Sequence, residues 1–149
     1  MKNIIKKFMN EFNYILLMEQ SLLILLGLLS LSTGISFNIA ESSVLLTSET
    51  YIMLNRVFPI IIWSYIFVVT GSLLIISAFI SYKKPSRYII IAISCFFATI
   101  AWIIYASAVN DTNTLIKSNF NRLLIISVFN GMATITGGVR FWQITQKKN

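Results

Sequence analysis

Four apolar runs, each close to the length of a membrane crossing, dominate the 149-residue chain. They extend from Leu22 to Ile39, Phe58 to Ser81, Tyr88 to Val109 and Leu123 to Ile144. A helix needs about 20 residues to cross a hydrocarbon layer of ~30 Å at ~1.5 Å per residue. No charged residue interrupts the first three runs, and Arg140 falls only at the trailing end of the fourth. Charged residues make up 11% of the chain, where a soluble domain carries about a quarter. The pattern predicts an all-α integral membrane protein. Runs and connections use the whole length, so residues 1–149 form a single four-span domain, read as an antiparallel four-helix bundle.

The connections carry their own signals. Over residues 1–18, Ile4, Ile5, Phe8, Phe12 and Ile15 recur at helical spacing, with Lys2, Lys6 and Lys7 on the other face. That predicts an N-terminal amphipathic interfacial helix suited to an anionic leaflet. No A-x-A site follows the first run, which is therefore read as a retained span rather than a cleaved signal. Residues 40–57 include Val44, Leu45, Leu46 and the stretch Tyr51 to Leu54, too apolar for a free loop. They are expected to lie in the interface or to cap the bundle as a short helix. Pro59 falls in the first turn of the second span, where its missing N–H costs nothing.

Lysine and arginine are distributed unevenly. Placing alternate segments on alternate sides gives Lys2, Lys6, Lys7, Lys83, Lys84, Arg87, Arg140, Lys147 and Lys148 on one side. The other side holds Arg56, Lys117 and Arg122. By the positive-inside rule the richer side is cytoplasmic, so the expected location is the cell membrane, multi-pass, with both termini inside. A net charge of +7 would raise nucleic-acid binding in a soluble protein. Here the cations sit at span ends, and the expected partner is a bilayer with an anionic inner leaflet, not nucleic acid.

Small and weakly polar residues suggest where helices meet. Ser30 and Gly34 form a small-xxx-small pair in the first span. In the fourth, Asn130, Thr134 and Gly138 lie four apart, with Ser127 and Gly131 beside them. These are the helix-packing candidates. Glu19 precedes the continuous apolar run, and its position suits an interfacial acid that reaches water; Arg140 lies at a matching depth, so the two are expected to be in contact or to share a headgroup environment. Trp63 and Trp102 lie at similar depth below the opposite boundary and could touch across the second and third spans.

Chemistry-bearing groups are scarce. The chain has no histidine and one cysteine, Cys95, inside the third span, which leaves no intramolecular disulfide and no imidazole site. No Asp or Glu sits at mid-span, and no serine has a basic partner at depth. The expectation is a protein that is not an enzyme, with no catalytic residues, cofactor or metal.

The Pro59…Trp63 opening of span two, Gly71 mid-span, the turn Lys83-Lys84-Pro85-Ser86-Arg87, Trp102 late in span three and Arg140 closing span four make a recognisable layout. Over residues 58–142 it resembles the small four-span membrane proteins of phages and prophages of low-GC Gram-positive bacteria. The resemblance implies a class and no mechanism. The function expected is helix association, with itself as a homo-oligomer or with a membrane-protein partner. A holin-like membrane-permeabilising protein is one alternative, and a small transporter or channel subunit is the second.

Overall fold

The computed structural model describes residues 14–39, 48–110 and 117–146. These form five helices and, among the described residues, no strand: α1 (Tyr14–Ile39), α2 (Glu49–Val57), α3 (Ile60–Phe79), α4 (Pro85–Asn110) and α5 (Lys117–Gln146). Four of them, all but the short α2, are long and apolar enough to cross a membrane. The predicted amphipathic segment lies largely outside the described residues, as do Lys2, Lys6, Lys7, Lys147 and Lys148. Its last residues, from Tyr14, are continuous with the first span as one helix.

The helices contact one another in the order α1, α3, α4, α5. Between α1 and α3, Gln20 Nε2 donates to Ala78 O (3.2 Å), Gly27 meets Gly71, and Ser64 Oγ donates to Gly34 O (2.7 Å). The α3 partner number falls as the α1 number rises. The two backbones come very close: a Cβ on Gly71 would lie 2.6 Å from Gly27 O, and one on Gly34 would lie 2.8 Å from Ser64 O. Small residues allow this approach, which dispersion and interhelical hydrogen bonds then reward. Gly27, three and seven residues before Ser30 and Gly34, completes that face; the small-xxx-small reading of the sequence did not include it.

The α4–α5 seam corrects the sequence reading in detail. Asn130 and Ser127 are buried, but Gly138 is open, with nothing within 4 Å of a Cβ built there. The glycine in contact is Gly137, where a Cβ would lie 3.1 Å from Ala92 N and from Tyr88 O. Helical geometry explains the difference. At ~100° per residue, two steps of four drift ~80° around the helix, whereas a step of seven drifts only ~20°. Asn130 and Gly137 therefore share a face that Gly138 leaves.

Residues 49–57, inside the apolar connection, form α2, and Leu54 on it is fully buried. It packs in a core with Phe37, Trp63, Phe67 and Trp102. Trp63 Nε1 donates to Leu54 O (3.0 Å) and to Phe58 O (3.1 Å), which fixes the elbow between α2 and α3. Pro59 stands just before α3 rather than inside its first turn, and Asn55 Oδ1 accepts the Ile60 N–H (3.2 Å). Trp63 and Trp102 meet in this core through Phe67, whose ring lies 5.0 Å from that of Trp102.

Gly71→Leu is expected to lower stability by about 1–3 kcal/mol, the usual cost of overpacking, since backbone atoms are what it strikes. Gly138→Ala should not lower it and can raise it by up to about 1 kcal/mol, since the site is open and alanine favours the helix over glycine. Thermal unfolding of both variants in one detergent checks the pair; equal losses would show that the α1–α3 approach is not the tight one.

Candidate functional site

Hydroxyl-bearing residues are plentiful in the long helices, yet most are satisfied by their own helix. Thr33, Ser36, Thr70, Thr99, Ser107, Thr134, Thr136 and Thr145 each donate to the carbonyl four residues earlier. Such bonds commit the hydroxyl proton to the helix's own backbone and leave the oxygen only as an acceptor. Asn130 likewise donates to Ile126 O (2.9 Å), while its Oδ1 and the Ser94 hydroxyl stay buried without a partner. Ser30, a predicted packing residue, contributes beyond packing: it accepts the Trp102 Nε1–H across to α4 (3.4 Å).

The charged chemistry gathers where α1 begins and α4 begins. Arg87 follows Pro85 in the first turn of α4, and its side chain is fully buried. Its Nη2 donates to Glu19 Oε1 at 3.1 Å, with Glu19 37% exposed. Glu19 thus pairs with Arg87 rather than with Arg140. Both arginines suit Glu19 by depth, but the buried Arg87 side chain reaches from α4 across to Glu19, whereas Arg140 lies exposed on α5. Arg87, grouped in the sequence with the headgroup-facing cations, is instead an interior residue; Lys83 and Lys84 are exposed.

The pair is incompletely satisfied. Arg87 Nε and Nη1 are buried without a hydrogen-bond partner, and the guanidinium carbon stands 5.8 Å from the centre of the Tyr88 ring. A buried charge tolerates this only because its counter-charge is in place.

Two spaces adjoin this end. A polar groove of about 320 Å³ is lined by Tyr82, Lys83, Tyr88, Arg140, Gln143 and Ile144. An apolar cavity of about 220 Å³ lies between α1, α4 and α5, with Leu22, Leu23, Ile91, Phe129 and Met132 in its walls and Glu19 beside them. At the other end a larger cavity of about 440 Å³ is walled by Tyr51, Trp102, Tyr105 and Arg122. Phe37 stands edge-on to Tyr51 and Tyr105 beside it, at 5.5 and 5.3 Å. Burial pushes the Tyr51 phenol above its ordinary pKa. Among the described residues no three His, Cys, Asp or Glu side chains come together as a metal site would require.

Comparison with known protein families, with curated proteins and with solved structures finds no match. The resemblance in layout therefore rests on the residues quoted for it alone.

Glu19→Ala should cost about 3 kcal/mol, at the low end for breaking a buried pair because the carboxylate is partly solvated. Arg87→Leu in the same chain should recover much of it, since the uncompensated charge is then gone. A double-mutant cycle on thermal unfolding measures this; strictly additive losses would mean the two side chains do not interact.

Proposed function

We propose that this chain is a non-enzymatic multi-pass membrane protein, an antiparallel bundle that works by associating through α5 with a second copy or with another membrane protein. The observation that carries the reading is the uneven cover of the four long helices. In the most apolar stretch of α5 only 17% of residues are buried, against 33–39% in the other three. Met132, Ile135, Val139 and Trp142 are all exposed, and Gly138 stands open among them. Small residues on an uncovered apolar helix are what a further helix packs against in lipid. Gly27 and Gly34 of α1, by contrast, are already packed against α3.

Thr134 donates back to Asn130 O and Asn130 to Ile126 O, which leaves the α5 seam fewer free donors for a water-lined path and weighs against the transporter alternative. Cytoplasmic termini follow from the asymmetry of lysine and arginine.

Photo-crosslinking from α5 tests association. A crosslinker replacing Ile135 or Val139 in native membranes should give one discrete adduct, at twice the chain mass for self-association or at the summed mass for a partner. The same crosslinker at Ile76 on α3 is the control. No discrete adduct from α5, or equal adducts from both helices, would remove the reading. A Lys84→Cys variant in a Cys95→Ala background reports orientation. It should resist impermeant thiol reagents in intact cells and react after lysis.

A further inference from the structure

The groove and the apolar cavity beside the Glu19–Arg87 pair are stacked along the same two helices. Tyr88, only 6% exposed, lines both. On α5, Ala133 and Gly137 border the apolar cavity, and Arg140 and Ile144 border the polar groove. Those four residues step by four, three and four, which keeps them in one stripe of the helix. The stripe thus passes from an apolar hollow to a basic one as it nears the helix end.

Charge differs between the two. Glu19 is the acid at this end among the described residues, and Arg87 engages it. Lys83 and Arg140 have no carboxylate partner among the described residues, so the groove keeps two uncompensated cations. Tyr82, Tyr88 and Gln143 add hydrogen-bonding groups to its lining. An ammonium and a guanidinium converging on one groove suit phosphate, which arginine can hold with two parallel N–H bonds. The cavity below offers hydrocarbon walls and suits an alkyl chain.

We propose that this composite space is a site for one anionic phospholipid, its phosphate between Lys83 and Arg140 and an acyl chain against Leu22, Ile91 and Phe129. The site rests on the membrane reading above, and it adds to general leaflet attraction a defined seat between α4 and α5. Basic hollows between helices on the cytoplasmic side are where anionic headgroups are held. The Glu19–Arg87 pair has a part in it: with its charge cancelled, Glu19 can border the chain without repelling the phosphate above.

Native mass spectrometry of the full chain tests this, in mild detergent with equal amounts of phosphatidylglycerol and phosphatidylcholine of matched chains. The wild type should retain phosphatidylglycerol preferentially. Lys83→Gln with Arg140→Gln should reduce that preference by about thirtyfold, the combined contribution of two cations beside an anionic headgroup. Arg56→Gln with Arg122→Gln, an equal charge change at the other end, should leave it intact. Thr136→Trp, which fills the apolar cavity from an exposed position, should lower retention of both lipids. Lys83→Arg with Arg140→Lys should restore the preference and shows that the variants are folded. Equal loss in both charge-neutralised pairs would overturn the site, as would displacement of the lipid by millimolar inorganic phosphate, which would indicate a free-anion site. A chain that leaves the membrane in alkaline carbonate would instead remove the membrane reading itself.

Discussion

Contact between the Gly27 and Gly71 backbones sets the distance between α1 and α3, and other features of the pair depend on that distance. Only at this separation can Ser64 reach Gly34 O and Gln20 reach Ala78 O. Lipid tails are as apolar as leucine, so burying one more leucine gives little reason for two helices to meet. On α3 the point is visible directly: Val69, Ile76 and Phe79 face outward while Phe67 and Leu74 face inward. The inward face is marked by glycine and by Ser64, Thr70 and Ser77, which is to say by size and hydrogen bonding rather than by hydropathy.

That explains what the sequence made legible. Helix length and the absence of charge are one-dimensional properties: α1, α4 and α5 cover their apolar runs and extend past them, while α3 (Ile60–Phe79) lies just inside its run. Which face turns inward is a matter of angle, and apolar periodicity is silent when every face is apolar. The choice of Gly138 over Gly137 is the result: a four-residue ladder looks continuous on paper but winds out of the seam. The pairing of Glu19 with Arg140 fails for a related reason. Depth can be counted along the chain, while lateral position cannot, and α4 lies between α1 and α5 in the packing order. The α2 elbow was half legible. Its apolar residues showed that the segment was no free loop, but nothing in them announced that Trp63 would tie it down.

The two ends of the molecule use different physics. At one, Phe37, Phe67, Trp102 and Tyr105 interlock edge to face, contacts that add about 0.5–1.5 kcal/mol each beyond area buried. At the other, among the described residues, one ion pair joins α1 to α4, and Lys83 and Arg140 have no carboxylate partner. An aromatic lock is indifferent to salt and to the composition of its surroundings; a set of free cations is not. The Lys83–Arg87 end is therefore sensitive to its surroundings in a way the aromatic lock is not.

The hydroxyls that bond back to their own helix have one more consequence. By mean hydropathy α5 is the least apolar of the four long helices, chiefly through Asn130 and an arginine, and its threonines lower the score further as though each faced the solvent bare. In Thr134, Thr136 and Thr145 the proton is already committed to a carbonyl one turn back. A translocating ribosome product with such residues enters oil more readily than its letter count suggests, and the last helix can be both the most hydrophilic on paper and a full member of the greasy ensemble.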